Sequence, residues 1–441
     1  MDHALLIGLI GLVALVLLIA IRIPVAYSMI LVGAIGIVVL DGSAILLSQL
    51  KDLAWAQFSI YDLSVVPMFI LMGNIATRAG LSLDLFRAAN AWLGWMRGGV
   101  AMSAIAACAG FGSVCGSSLA TASTMGQVAL PELRRYRYKP SLATGTLAAG
   151  GVLGILIPPS VVLVVYAIIV EASITTMFIA AFIPGLIAVL AFLFTIAIYV
   201  RLRPDSGPPG DPVDRAEFIA ATKAMAPVAA IFAIVIGGIY FGFFNPTPAA
   251  AIGVVLVLVL GLWRRAIGLE KLRLVLYDTA ATSGMIFLIL LGAELLKIFM
   301  SRGGVPQAAA EMLATSGLPP MAILLLLLVA LIALGCLMDS LSMILLAIPF
   351  FWPVISVLDF GMPAEDLKVW FGILALVVVE LGLITPPVGM NVFVINSLAP
   401  DVPMRETFLG VMPFFFAEIV RVALLVTFPA LTLWLPALLM G

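Results

Sequence analysis

Hydrophobic stretches long enough to cross a bilayer recur along the whole sequence and are separated by short polar segments. A helix needs roughly 18–20 apolar residues to cross the hydrocarbon core. Ten stretches of this kind are expected to be membrane spans, and they lie near 4–21, 25–40, 60–77, 140–170, 175–200, 225–243, 248–263, 276–300, 369–398 and 407–430. The pattern predicts an all-α polytopic membrane protein.

Two further hydrophobic regions, 99–131 and 319–356, do not fit simple spans. Of the 26 residues in 101–126, 20 are Gly, Ala, Ser, Thr or Cys, a composition that packs backbones closely but has little affinity for lipid. A hairpin that enters and leaves on the same side has an irregular tip, which is tolerated only inside protein or beside a cavity. We therefore predict a re-entrant helical hairpin in each region.

The distribution of basic residues favours the re-entrant interpretation. With the N-terminus outside and both hairpins re-entrant, 17 of the 22 Lys and Arg residues fall in inside loops, as expected for cytoplasmic loops. A single crossing over 99–131 would instead place the cluster Arg134–Lys139 outside. Both chain termini are accordingly expected on the periplasmic side.

Matching features recur at a nearly constant offset along the chain. Ser118 and Ser340 are 222 positions apart, and so are Pro131 and Pro353, whereas Pro158 and Pro386 are 228 apart. Five full spans before the central linker place the second copy on the opposite side of the membrane, so the repeats are expected to be inverted. The predicted units are a first inverted repeat 1–210 with hairpin 99–131 and broken helix 140–170, a cytoplasmic linker 201–224, and a second inverted repeat 225–441 with hairpin 319–356 and broken helix 369–398.

Composition narrows the possible functions. Hydrophobic residues make up 64% of the chain and charged residues 10%, the net charge is −1, and the three cysteines form no CxxC pair. These features give no signal for nucleic-acid binding, a disulfide framework or a zinc site. The sequence has no Walker-type motif, so an ion gradient is the expected energy source, and no enzymatic site is predicted.

The hairpin tips and broken helices carry the residue types that an ion site needs. The first tip, 112–121, combines glycines with Ser117, Ser118 and Thr121, and the second tip contains Asp339 and Ser340. Double prolines at 158–159 and 386–387 remove amide donors, so carbonyls before them lose their helical partners and can face a cation. Interrupted helices at matching places in two halves are a pointer to a transporter binding site. Close helix packing and simple kinks are the alternative explanations.

Several charged residues lie within the predicted membrane segments, where they are functional candidates. Asp339 is a possible cation ligand, proton site or helix cap, and these alternatives stay open. We interpret the other acids as structural partners of neighbouring groups; they are Glu380, Glu294 with Lys297, and Glu418 with Arg421.

With these motifs in place, the chain resembles the large membrane subunit (M subunit, DctM-like) of tripartite ATP-independent periplasmic (TRAP) transporters. The resemblance covers essentially the whole length. Three motifs carry it: Gly-Ser-Ser-Leu-Ala-Thr-Ala-Ser-Thr-Met-Gly (116–126), Ala-Ala-Gly-Gly-Val-Leu-Gly-Ile-Leu-Ile-Pro-Pro-Ser (148–160) and Glu-Leu-Gly-Leu-Ile-Thr-Pro-Pro-Val-Gly-Met-Asn (380–391).

The resemblance implies sodium-coupled uptake of an organic acid of the dicarboxylate, sugar-acid or 2-oxo-acid type by an elevator-type motion in the bacterial inner membrane. It implies a periplasmic substrate-binding protein and a separate small four-helix membrane subunit as partners, and no cofactor beyond the coupling sodium ions. One alternative is a stand-alone sodium/dicarboxylate or other anion symporter of the wider group. The other is a non-transporting membrane scaffold or channel.

The resemblance also implies particular site residues. Sodium ligands are expected among residues of the two tips and the two helix breaks, namely Ser117, Ser118, Gly154, Ile157, Pro158, Gly335, Met338, Asp339, Leu383, Thr385 and Pro386. Substrate contacts are expected between the tips, at Ser118, Thr121, Ser340, Gly389 and Asn391.

Overall fold

The protein is helical throughout the part of the chain that the computed structural model describes, residues 3–21, 23–315 and 317–440. These ranges form twenty α-helices and two 3-10 turns, with no strand, which confirms the all-α prediction. The helices are α1 (His3–Ala20), α2 (Val25–Asp41), α3 (Ser43–Phe58), α4 (Val65–Arg78), α5 (Leu81–Leu93), α6 (Gly99–Cys115), α7 (Ser118–Arg135), α8 (Pro140–Leu156), α9 (Val161–Val170), α10 (Ile174–Leu202), α11 (Arg215–Tyr240), α12 (Pro246–Trp263), α13 (Leu269–Arg302), α14 (Val305–Thr315), α15 (Pro320–Gly335), α16 (Ser340–Ile355), α17 (Ala364–Gly382), α18 (Met390–Leu398), α19 (Met404–Thr427) and α20 (Ala430–Met440).

Length and composition allow several of these helices to span a membrane. Within the described ranges, five single helices are long and apolar enough to cross a membrane: α10, α11, α12, α13 and α19. The number of candidate spans rises to seven if each of two bent helix pairs counts as one span. The pair α3 and α4 bends by 60°, and the pair α8 and α9 bends by 46°. The predicted span at 60–77 is thus the second arm of a bent unit whose first arm, α3, was not predicted.

The first hairpin region consists of α6 and α7, which pack against each other and against α8. Only Gly116 and Ser117 separate the two helices. Gly116 has a φ of +63°, a left-handed conformation that glycine adopts without steric cost. Ser117 then caps α7, because its hydroxyl oxygen accepts a hydrogen bond from the Ala120 amide at 3.4 Å. The small-residue sequence therefore makes a tight two-residue tip.

The second hairpin region, α15 and α16, has a longer tip at 336–339. Its last residue, Asp339, caps α16 by accepting a hydrogen bond from the Ser342 amide at 3.1 Å. The corresponding helix in each region therefore begins with a serine directly after a polar cap: Ser118 in α7 and Ser340 in α16.

Each hairpin packs against a helix that is broken at a double proline. The first break separates α8 from α9 and the second separates α17 from α18, and each contains a cis Pro-Pro peptide. Helices α8 and α17 are the most enclosed part of the fold, since every residue of Leu142–Leu156 and of Val369–Gly382 is buried. A helix that is apolar all round belongs in an interior, so the two breaks lie inside the protein.

A second layer of helices surrounds this interior. Helix α13 packs along α2 and α4, and α12 packs along α4. Helix α19 crosses α8 where Gly145 and Gly410 meet, and an added Cβ at Gly410 would lie 1.8 Å from the Ser141 carbonyl oxygen. The close crossing requires glycine and fixes α19 against the broken helix.

The linker between the two predicted repeats is bound to the first hairpin region. The Gly98 amide donates to the Gly207 carbonyl at 3.0 Å, the Lys139 amide to the Ser206 carbonyl at 3.0 Å, and the Gly210 amide to the Gly94 carbonyl at 2.9 Å. The linker therefore joins the chain segments before α6 and after α7. The inverted relation of the repeats and the side from which each hairpin enters stay predictions.

Candidate functional site

A cavity of about 430 Å³ lies between the two hairpin tips. Ser117 and Ser118 line it from the first tip, and Asp339 and Ser340 line it from the second. Helices α4 and α13 close the opposite side. Ligand pockets commonly have volumes of about 300–1,000 Å³, so this space suits a small organic molecule.

Two helix N-termini meet at this cavity. Ser118 is the first residue of α7, Ser340 is the first residue of α16, and both line the cavity wall. The first amides of a helix have no partner within that helix, and they carry partial positive charge. Paired N-termini therefore provide donors for an anionic group such as a carboxylate.

The first tip is pressed against the first broken helix at Gly154. A Cβ at Gly154 would lie 2.4 Å from Thr121 Oγ1 and 2.7 Å from the Ser117 carbonyl oxygen, and one at Gly112 would lie 2.4 Å from Gly154 Cα. Thr121 Oγ1 is buried and makes no hydrogen bond within the described part of the chain. The Ser117 carbonyl accepts a hydrogen bond from the Thr121 amide at 3.0 Å and keeps a second lone pair. Oxygen is the ligand that hard cations prefer.

The second tip meets the second broken helix in the same way. A Cβ at Gly382 would lie 2.7 Å from Gly335 Cα, so the two backbones touch. A Cβ at Gly389 would lie 3.2 Å from the Thr385 carbonyl oxygen and 3.3 Å from that of Leu383. Carbonyl oxygens therefore gather beside this tip as well.

The two glycine contacts occupy matching places in the chain. Gly154 and Gly382 are 228 positions apart (382 − 154), the same offset that separates Pro158 from Pro386. Thr385 corresponds by this offset to Ile157, and its hydroxyl donates to the Leu381 carbonyl at 2.6 Å. The second break therefore offers a hydroxyl oxygen where the first offers only backbone.

Asp339 caps α16 in the structure, and its alternative roles as a cation ligand or proton site stay predictions. Replacing it with Ala removes the Ser342 amide's partner, so we expect a loss of about 1 kcal/mol of stability. Asp339→Asn keeps a cap oxygen and should unfold at nearly the temperature of the unmodified protein. Thermal unfolding of the purified variants measures both effects. Equal destabilisation by Ala and Asn would show that the carboxylate charge, and not the cap, is what matters.

Glu380 is a site residue that the sequence analysis did not assign. The carboxylate is completely buried, with Oε2 accepting from the Ser118 hydroxyl and Oε1 accepting from the Ser340 hydroxyl. The sequence analysis interpreted it as a structural partner of a neighbouring group. Within the described ranges it makes no ion pair, and its partners are two serines from other segments of the chain. Its place in the motif 380–391, just before the second break, was the available signal.

The remaining predicted substrate residues lie away from the cavity wall. Thr121 faces Gly154, and Asn391 is fully buried beside Gly151, where its amide donates to the Ala148 carbonyl at 3.3 Å. Gly389 is the N-cap residue of α18, and its amide donates to the Cys336 carbonyl at 3.3 Å. The cavity lining thus includes Ser118 and Ser340 but not the other three.

The residues predicted to bind sodium lie in the two hairpin tips and at the two helix breaks. Pro158 is buried within the first break, Ile157 is half-buried and faces a separate apolar cavity, and Met338 is buried within the second tip. Their side chains offer no oxygen, so only their backbone carbonyls are available as ligands.

Two other intramembrane pairs form as predicted. Lys297 donates to Glu294 at 3.4 Å on the half-exposed face of α13. Arg421 pairs with Glu418 inside the protein and also donates to the Pro184 carbonyl at 3.2 Å. Neither pair lines the cavity between the tips.

Comparison with known proteins gives a consistent result across nearly the full chain. Residues 12–431 match the family described as "Tripartite ATP-independent periplasmic transporter, DctM component". The C4-dicarboxylate TRAP transporter large permease protein DctM of Pseudomonas aeruginosa is 33% identical over 85% of this chain and 86% of its own. The sialic acid TRAP transporter large permease protein SiaM of Vibrio cholerae is 30% identical over 95% of this chain and 96% of its own.

A solved structure resembles the fold. The crystal structure of the Alcanivorax borkumensis YdaH transporter superposes with a TM-score of 0.66 at 15% identity, covering 89% of this chain and 90% of that one. At this identity the likeness concerns the fold alone.

Proposed function

This chain belongs to the DctM component family of tripartite ATP-independent periplasmic transporters, and on that premise we propose that it carries out sodium-coupled uptake of an organic acid. It is a transporter component and not an enzyme. A periplasmic substrate-binding protein delivers the acid, and a small membrane subunit completes the complex in the bacterial inner membrane.

The observation that carries the proposal is the meeting of the two tips at one cavity of about 430 Å³, with each tip packed against the broken helix of its own half. Coupled uptake requires an anion site and a cation site close enough to influence each other. The N-termini of α7 and α16 suit a carboxylate, and the oxygens beside each break suit sodium.

The first sodium ion is proposed to bind between the first tip and the first break. Its ligands would come from the Ser117 carbonyl, the Ser118 and Thr121 hydroxyls, and backbone carbonyls over 154–158. The unpartnered Thr121 hydroxyl and the backbone contact at Gly154 support this assignment.

The second sodium ion is proposed to bind at the corresponding place in the second half. Its ligands would come from the backbone over 335–338 and the carbonyls of Leu383 and Thr385, with the Thr385 hydroxyl beside them. Asp339 would then act on this site mainly by ordering the start of α16.

The substrate is proposed to be a small acid with at least one carboxylate, of the dicarboxylate, sugar-acid or 2-oxo-acid type. The names of the relatives specify C4-dicarboxylates and sialic acid, which are carboxylates of this size class. The cavity lies between the tips and the wall formed by α4 and α13. An elevator motion would carry the tips and broken helices past that wall.

Uptake into proteoliposomes tests the proposal. The chain is reconstituted alone, with the small subunit, and with both the small subunit and the substrate-loaded receptor, under an inward gradient of sodium or of choline. We expect accumulation only with the complete set and only with sodium. Accumulation by the chain alone would favour a stand-alone symporter, and accumulation independent of sodium would overturn the proposal.

A further inference from the structure

One buried carboxylate connects the tips of the two halves. Glu380 lies near the end of α17, and its two oxygens accept hydrogen bonds from Ser118 and Ser340. These serines are the first residues of α7 and α16, which come from different predicted repeats. Moving either tip relative to α17 must therefore break a hydrogen bond to the same side chain.

The bridge has no counterpart in the first half of the chain. The offset of 228 that relates the two breaks places Val152 opposite Glu380 (380 − 228), and Val152 is a buried apolar residue of α8. A single carboxylate from the second broken helix thus serves both tips. Glu380 therefore does not belong to a packing pattern that both halves share.

Within the described ranges, this carboxylate has serine hydroxyls and no basic side chain as hydrogen-bond partners. Glu380 forms no ion pair within the described ranges, and Arg421 is engaged by Glu418 and the Pro184 carbonyl. Because Ser118 and Ser340 are the first residues of α7 and α16, Glu380 lies beside two helix N-termini, which carry partial positive charge. Both of its hydrogen-bond partners are therefore supplied by the tips.

The hydrogen bonds decide what the two serines can offer to a ligand. A serine hydroxyl has one hydrogen and two lone pairs. Because each hydrogen is donated to Glu380, only lone pairs are left at the cavity wall, where both serines lie. Such oxygens attract a cation and repel a carboxylate, so the substrate acid has to bind through helix amides.

We propose that Glu380 is a positioning residue that holds Ser118 and Ser340 in a cation-accepting orientation and couples the two tips during sodium binding. The inference rests on the proposed sodium-coupled uptake and adds a specificity-determining residue to it. Glu380 acts through the serines and does not itself line the cavity.

Glu380→Gln tests this role. Glutamine offers one acceptor oxygen and an amide NH2 group that only donates. One serine can therefore still donate to the side chain, and the other loses its acceptor. We expect the sodium concentration for half-maximal uptake to rise roughly tenfold, as for loss of a hydrogen bond to a charged group, with little change in the maximal rate. Glu294→Gln is the control, since it removes an intramembrane carboxylate away from the tips and should leave the sodium response unchanged.

A double-mutant cycle keeps the inference testable if Glu380→Gln folds poorly. Ser118→Ala and Ser340→Ala are made singly and together, and the fold loss of sodium affinity is measured for each protein. The loss in the double variant should differ by at least about threefold from the product of the two single-variant losses. Strictly multiplicative losses, or an unchanged sodium response in Glu380→Gln, would overturn the positioning role. The unmodified protein is measured first, because sodium-independent uptake there contradicts the proposed function itself.

Discussion

Gly154→Ala is expected to raise the sodium concentration needed for half-maximal uptake by roughly 5- to 150-fold, from about 1–3 kcal/mol of strain. The added methyl would lie 2.4 Å from Thr121 Oγ1 and 2.7 Å from the Ser117 carbonyl oxygen. The tip and the break must therefore separate, and the oxygens proposed to share one ion move apart. Sodium titration of uptake in proteoliposomes measures the effect.

The matched control for this substitution is Gly237→Ala in α11, where an added methyl meets no atom within 4 Å. Alanine is the better helix former, so stability should stay equal or rise by about 1 kcal/mol, with unchanged uptake. Thermal unfolding of Gly154→Ala shows whether the protein still folds. A normal sodium response in a folded Gly154→Ala protein would contradict the first sodium site.

Arg421→Met is expected to cost about 3–5 kcal/mol of stability, because it leaves Glu418 buried without its partner. Both side chains are 1% exposed in the structure, and Arg421 also satisfies the Pro184 carbonyl at the contact between α19 and α10. Chemical unfolding of the purified protein in detergent measures the loss of stability.

Removing both charges should restore much of the loss. Glu418→Gln with Arg421→Met leaves no unpaired charge at this pair, so we expect the double variant to be more stable than Arg421→Met alone. Lys297→Met breaks the half-exposed pair with Glu294 and should cost less than about 1 kcal/mol. A double variant that is less stable than both single variants would mean that the pair contributes through packing and not through charge.

The sequence was informative where local chemistry determines local structure. Small residues over 101–126 predicted a tightly packed helical region, and the structure makes the tip with Gly116 in a left-handed conformation and Ser117 as a cap. Double prolines cannot continue a helix, and α8 ends two residues before Pro158 while α17 ends four residues before Pro386. These features depend on neighbouring residues along the chain.

The sequence was less informative where contacts join distant segments. Ser118 and Glu380 are 262 positions apart, and no local pattern relates them. A buried acid close in sequence to other membrane residues was therefore assigned to local pairing. Helix α3 was missed for a different reason: the polar residues Gln49, Lys51 and Asp52 interrupt its apolar run, so the hydropathy pattern does not mark it as a span.

Thr121 and Asn391 show that a sequence motif does not determine which of its side chains reach the cavity. Both were expected at the substrate because both are polar and lie in the motifs. The first turn of α7 places Ser118 at the cavity and directs Thr121 toward Gly154. Asn391 packs against α8, where its amide donates to the Ala148 carbonyl. Position in a motif identifies the segment, but the packing of α7, α8 and α18 decides which side chains reach the cavity.

The most direct test of sodium coupling is the flux of radioactive sodium during substrate uptake by the fully reconstituted complex. We predict that sodium enters the vesicles only when the substrate-loaded receptor is present, in a fixed ratio to the acid. The Gly154→Ala protein should lose both fluxes together at low sodium. Uptake of the acid without accompanying sodium would contradict the central claim that the two tips form one coupled site.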